Sequence, residues 1–256
     1  MLIVISPAKT LDLESDYKAP AVSQPEFLTD TRKLVKIMRG YSAADLGTLM
    51  HTSEAISTLN EERYKTWRTP FNEGNARASL FTFKGDVYTG LEAEKFSAAD
   101  LEYAQDHLRI LSGLYGALRP LDLMQPYRLE MGTELNNERG KNLYAFWGDK
   151  LSKAINRDLK AQGDNVLVNL ASNEYFSALD KKALDAQIVT PVFKDYSSGQ
   201  YRVLSFFAKK ARGRMAAWIL KNRVKDAGEL AKFRLDGYRY SKDDSGPDKP
   251  VFLRKQ

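Results

Sequence analysis

The chain opens with an apolar, β-branched run, residues 2–6, that predicts a buried first strand. Across residues 26–39, Leu28, Leu34, Val35 and Met38 recur at helical spacing until Gly40 stops them. Ser42 and Ser53 are expected N-caps of two short helices, residues 43–50 and 54–67. Residues 80–88 alternate like a strand, and Ser97 followed by Asp100 predicts a capping box. Residues 144–161 read as one helix ended by Gly163, leading into the buried-strand pattern VLVNLAS. QIVTPVFKDY, SSGQ and YRVLSFFA read as strand, turn and strand, and a long helix is expected over 209–225. SKDDSGPDKP, between YRY and VFLRK, reads as a polar hairpin loop. The alternation predicts an α/β (α+β) domain, a mixed sheet with helices against it, spanning 1–256.

Residues 111–132, LSGLYGALRPLDLMQPYRLEMG, break every periodic pattern. RILSGLYG reads as a buried strand entering a glycine turn. RPLDLMQPYRLEMG reads as a loop that two prolines preset, carrying Asp122, Gln125, Tyr127, Arg128 and Glu130. A purely structural loop needs the glycines and prolines but not so many ionisable groups, so a functional use is expected.

Composition narrows the chemistry. No run of about eighteen apolar residues predicts a membrane span, and MLIVIS lacks the charged flank of a signal peptide. Cysteine is absent, which removes thiolate chemistry and suits a cytoplasmic protein. With only His51 and His107, no metal site and no cofactor are expected. The net charge is +6, which favours polyanions.

Four stretches carry candidate chemistry. The helix pair at about 43–67 is either a helix-hairpin-helix-like phosphate contact or an ordinary αα-corner, since His51-Thr52-Ser53 has no glycine. In residues 207–226 seven basic side chains face one acid, Asp226. On a helix, Lys210, Arg214, Lys221 and Lys225 fall within a stripe about 60° wide, which suits a phosphate backbone. FKGDVYTGL would place Lys84, Asp86 and Tyr88 on one strand face, and Gly85 and Gly90 allow close approach of a ligand or another backbone. VNLASNEYF ends a buried strand with Asn169, Ser172, Asn173 and Glu174, where open sheets hold ligands, although helix capping also accounts for it.

SPAKTLD, FKGDVYTGL, LSGLYGALRPLDLMQPYRLEMG, LYAFWGD, VNLASNEYF and FAKKARG occur in an order that resembles the bacterial YaaA family. The resemblance implies a cytoplasmic protein of the hydrogen-peroxide stress response, associated with lower free iron and less damage to DNA and protein. It also implies an α/β fold that binds DNA through a basic cleft and a helix-hairpin-helix element, and it brings no assigned enzymatic activity. Mapped onto the shared motifs, the cleft would draw on Lys9, Lys84, Arg119, Arg128, Lys209, Lys210, Arg212 and Arg214, with Lys221 and Lys225 added from the helix stripe. The expected partner is the phosphate backbone of double-stranded DNA, bound by a monomer that uses no membrane.

Three readings follow, of which an iron-sequestering protein is the weakest, because the sequence offers no convincing iron site. A binding protein accounts for the charge. An enzyme acting on a nucleobase or nucleic acid accounts for Lys84, Asp86, Tyr127, Arg128 and Glu130, its candidate catalytic residues. Convergence of Ser6, Lys9, Lys84, Asp86, Tyr127, Arg128 and Glu130 on one pocket would favour the enzyme. Dispersal along an open groove would favour the binder, towards which the sequence leans.

Overall fold

In a computed structural model, described for residues 1–16 and 19–255, the opening apolar run is strand β1 (Leu2–Ile5), buried along its whole length. A two-residue strand β2 (Thr10–Leu11) precedes three helices, α1 (Leu28–Met38), α2 (Ala43–Met50) and α3 (Glu54–Thr66). Ser42 caps α2 in a capping box with Asp45; Ser53 stands at the start of α3 but its hydroxyl makes no capping bond. His51 closes α2 in the left-handed region (φ 51°), which turns the chain between the two helices without a glycine.

Residues 80–88 are not the strand that their alternation suggests. The segment divides into β3 (Arg77–Ala78), α4 (Ser79–Thr82), β4 (Phe83–Lys84) and α5 (Asp86–Leu91). Apolar runs this short do not separate helix from strand by periodicity, and tertiary packing decides here. Helix α6 (Ala98–His107) begins with the expected Ser97–Asp100 box and leads into β5 (Leu108–Ser112), β6 (Gly116–Leu118) and β7 (Leu123–Met124). The expected helix 144–161 is two, α7 (Leu143–Trp147) and α8 (Lys150–Ala161), because Gly148 takes φ 52° between them.

Strand β8 (Val166–Leu170) is wholly buried, and the short helix α9 (Asn173–Phe176) follows. QIVTPVFKDY is also two elements: β9 (Gln187–Val189) ends one sheet and β10 (Val192–Ser197) starts another, with Pro191 between them. After β11 (Gln200–Arg202), YRVLSFFA turns directly into α10 (Ser205–Lys221), which starts earlier than its pattern indicates and runs unbroken through Gly213. The hairpin β12 (Arg239–Gly246) and β13 (Lys249–Arg254) takes most of SKDDSGPDKP into strands and leaves a tight turn.

The fold is α/β. The first sheet has the order β6-β5-β1-β8-β9, with β5, β1, β8 and β9 parallel and β6 antiparallel at one edge. The second has the order β11-β10-β13-β12 and packs Phe193 and Phe252 against α10 and Phe233. Two helices meet backbone to backbone. A Cβ at Gly90 of α5 would lie 2.1 Å from the Lys210 carbonyl oxygen, and one at Gly213 of α10 would lie 1.8 Å from that of Val87. No side chain fits at either point, so these glycines fix how FKGDVYTGL sits on FAKKARG. Among the described residues no helix is long and apolar enough to cross a membrane.

Candidate functional site

Sheet topology selects the site. From β1 the chain crosses to β5 on one side; from β8, on β1's other side, it continues outward to β9. The exits of β1 and β8 therefore diverge, and the crevice outside the carboxyl ends of such strands is where open α/β sheets bind ligands. A cavity of about 400 Å³ lies there, lined by the β1 exit (Ser6, Lys9, Thr10), the β8 exit (Ser172, Glu174, Tyr175) and Glu130. Lys84 at the end of β4 and Asp86 at the start of α5, with Lys209 and Arg212 of α10, complete its polar lining.

The walls are laced together. The pairing of β2 with β4 sets Thr10 opposite Lys84 and brings the α5 segment beside the β1 exit. The Tyr88 hydroxyl donates to the Ser6 carbonyl (3.1 Å), and the Ser172 N–H donates to the Ser6 hydroxyl (2.8 Å). The Gly132 N–H donates to Glu174 (3.0 Å), which ties the 111–132 loop to the β8 exit. The Gly90–Gly213 contact then places Lys209 and Arg212 against the same opening.

Charges in the cavity fall into committed and free groups. Glu130 Oε1 accepts a hydrogen bond from an Arg128 terminal nitrogen and pairs with Lys9 Nζ, each at 3.0 Å. Glu130 Oε2 and Arg128 Nε are buried with no hydrogen-bond partner among the described residues, a cost of order 1–3 kcal/mol each. Lys84 stands 3.7 Å from Asp12 and is otherwise exposed. Asp86, Lys209 and Arg212 have no hydrogen bond or ion pair among the described residues. Burial pushes the half-buried Arg212 guanidinium below its ordinary value, and no carboxylate offsets it. Burial likewise raises the Tyr127 and Tyr175 phenols above their ordinary range, so both stay protonated near neutral pH.

Of the seven side chains proposed to converge, Ser6, Lys9, Lys84, Asp86 and Glu130 line this one cavity. Arg128 stands behind Glu130 and grips it. Tyr127 is buried, its hydroxyl 2.6 Å from that of Ser112, and braces the loop from inside. Most other polar groups of the 111–132 loop are braces too. Asp122 is fully buried and binds Arg119 and Ser23, while Gln125 bonds both backbone groups of Arg68. Asn169 is buried and caps the Ala171 N–H (3.0 Å), Ser172 occupies the N-cap position of α9 but bonds Ser6 instead, and Asn173 is exposed.

The basic candidates are not brought to one cleft. Lys9, Lys84, Lys209 and Arg212 share the cavity, whereas Arg119 and Lys225 line a separate depression beside Met1, at the amino-terminal end of β1. The α10 stripe is not a free run of charge. Arg214 pairs with Glu92 and Asp236, Lys221 donates to the Lys95 carbonyl and covers the Phe96 ring, and Lys210 is half-buried. The α10 residues that reach the cavity, Lys209 and Arg212, lie off that stripe. Glycines at 90 and 213 were the sequence signal for this, since paired small residues mark where two helices touch. His51 is exposed at the end of α2, and His107 stacks on Tyr103 with Nδ1 3.0 Å from the Met1 carbonyl oxygen. Among the described residues no group of three or more His, Asp or Glu stands together as metal ligands would.

Comparison with known proteins agrees with the ordered motifs. The family model for peroxide stress protein YaaA matches residues 1–244. A UPF0246 protein of Alteromonas mediterranea is 56% identical over 256 residues, covering 100% of this chain and 99% of its own length. UPF0246 proteins of Shewanella sp. and Shewanella putrefaciens are each 54% identical over 255 residues, with the same coverage. The chain, with its motifs gathered around one switch-point cavity, therefore belongs to the YaaA family of peroxide stress proteins.

Proposed function

We propose that the protein serves peroxide resistance by binding double-stranded DNA across the mouth of the switch-point cavity. One observation carries this reading: Lys9, Lys84 and Lys209, all exposed and drawn from three distant segments, surround a single opening with Arg212 inside it. Exposed lysines on one rim suit backbone phosphates, which contribute affinity without sequence choice. The α2–α3 pair, with Ser53 unbonded at the start of α3, offers a second phosphate contact. Protection then takes place at the DNA, where iron-dependent oxidation does its harm.

The test is a salt titration of a blunt duplex by fluorescence anisotropy. Four neutralised phosphates predict a log–log slope of about −3.6. Replacing Lys9, Lys84 and Lys209 together by Gln should bring the slope to about −0.9. A slope that the triple variant leaves unchanged would contradict the reading.

A second reading, chemistry on the bound nucleic acid, is favoured by the gathering of Ser6, Lys9, Lys84, Asp86 and Glu130 in one cavity, where Asp86 is a carboxylate with no partner among the described residues. A free carboxylate repels phosphate and suits proton transfer. Asp86→Asn should then abolish peroxide survival while duplex affinity is kept; survival at the wild-type level removes this reading.

A further inference from the structure

The rim lysines account for a duplex, but the interior of the cavity does not fit one. Arg212 and Asp86 lie within a space of about 400 Å³, the scale of a small-ligand pocket. The convex backbone of a base-paired helix can rest on the mouth, yet its bases stay stacked and paired outside. The lining also mixes signs: Lys9, Lys84, Lys209 and Arg212 against Asp86, Glu130 and Glu174. A pure phosphate site has no use for Asp86. A ligand with an anionic end and hydrogen-bond donors nearby uses both kinds of group.

Phe206 supplies the third element. It is the most exposed large apolar side chain among the described residues, 59% accessible, in the first turn of α10. Residues three apart lie near each other on a helix surface, so Phe206 stands one turn before Lys209, just beyond the residues that line the cavity. Its edge-on contact with Phe207 leaves the ring accessible. An exposed ring beside uncommitted cations is the arrangement that holds unstacked bases.

We propose that the cavity receives one unpaired nucleotide, its phosphate between Lys209 and Arg212, its sugar or base donors on Asp86, and its base stacked on Phe206. The proposal rests on the reading of this cavity as the nucleic-acid site and names what enters it. The same chemistry is offered by an unpaired strand end and by a free mononucleotide. The half-buried Arg212, with no partner among the described residues, suits a site completed by an incoming anion.

Binding of the full chain to three labelled probes separates the outcomes: a blunt duplex, the same duplex with a 5′-phosphorylated single-stranded overhang, and the single strand. Adenosine 5′-monophosphate, adenosine and inorganic phosphate serve as competitors. The overhang probe should bind more tightly than the blunt duplex, and the monophosphate should compete far better than adenosine or phosphate. Phe206→Ala, at an exposed position, should lower overhang affinity about 5- to 150-fold, the range for loss of one stacked base, and leave blunt-duplex affinity and its salt slope in place. Arg212→Gln should remove competition by the monophosphate. Competition without any overhang advantage would support the nucleotide site and identify the free nucleotide as its occupant. Equal binding of blunt and overhang probes with no competition, or an unchanged Phe206→Ala, overturns the proposal. Failure of the blunt duplex to bind, with nucleotide competition intact, would instead remove the duplex reading.

Discussion

Gly213→Ala tests how the site is assembled. In an isolated helix this change is favourable by roughly 1 kcal/mol, because alanine restricts the unfolded chain more than glycine does. Here the added methyl would stand 1.8 Å from the Val87 carbonyl oxygen and 2.8 Å from the Leu91 nitrogen, both backbone atoms that no rotamer change can move. Restoring ordinary contact requires α5 and α10 to part by roughly 1.5 Å, in an interior packed too densely to absorb it. Overpacking at the upper end of its usual range costs about 3 kcal/mol. Less the propensity gain, about 2 kcal/mol of net destabilisation remains, a fall in Tm of about 4–8 °C for a chain of this size. Thermal unfolding followed by circular dichroism measures it. Gly246→Ala, whose methyl meets nothing within 4 Å, is the control and should barely move the midpoint. Duplex affinity should fall with Gly213→Ala as Lys209 and Arg212 draw away from Lys84. A Tm equal to or above that of the parent would refute the argument that this glycine pair sets the geometry.

Two further outcomes are expected. Glu130→Gln releases Lys9 and Arg128 from the carboxylate that now holds both, so duplex affinity should stay level or rise by no more than about fivefold, as for a partly exposed pair; a large loss would mean that Glu130 positions the phosphate contacts. At Asp30, burial alone would raise the carboxyl, but bonds from Lys150 (2.8 Å) and Arg139 (2.6 Å) outweigh it and hold it below 3.8. Its stabilisation is therefore present above pH 3.8 and is lost as pH falls below it. The Tm gap between wild type and Asp30→Asn should be widest above pH 3.8 and close on further acidification, and a gap that widens in acid would contradict the sign.

The parts of the fold legible in the sequence are those whose neighbours along the chain decide the outcome. β1, and β8 apart from Asn169, are apolar on both faces because both are covered, and Ser42–Asp45 and Ser97–Asp100 announce their helices locally. Residues 80–88 misled because Leu80, Thr82 and Phe83 are buried by distant partners, the Arg119 to Asp122 backbone and the β1 exit, so their alternation reports no single element. QIVTPVFKDY looked like one strand because nothing local says that β9 and β10 belong to different sheets. The site followed the same rule. Glu130, Lys84 and Asp86 stood out as ionisable groups set among glycines and prolines, but Asp122, Gln125 and Tyr127 looked equally functional until burial showed them bracing the loop. Helical angle separates Lys209 and Arg212 from the stripe of Lys210 and Arg214 but does not say which of the two sides meets the cavity. Which side faces the cavity is set by Gly90, more than a hundred residues away.

Lys209 and Lys225 provide the most direct test of the central claim, that DNA is held at the switch-point cavity. Both are exposed lysines on or just after α10, and each change to Gln removes one charge, but Lys209 lines the cavity and Lys225 the depression beside Met1. Salt-dependent binding of a blunt duplex to the two variants separates the two ends of the sheet. Lys209→Gln should weaken binding and flatten the log–log slope by about 0.9, while Lys225→Gln should match the parent. Equal losses from both variants, or a loss confined to Lys225→Gln, would contradict the account.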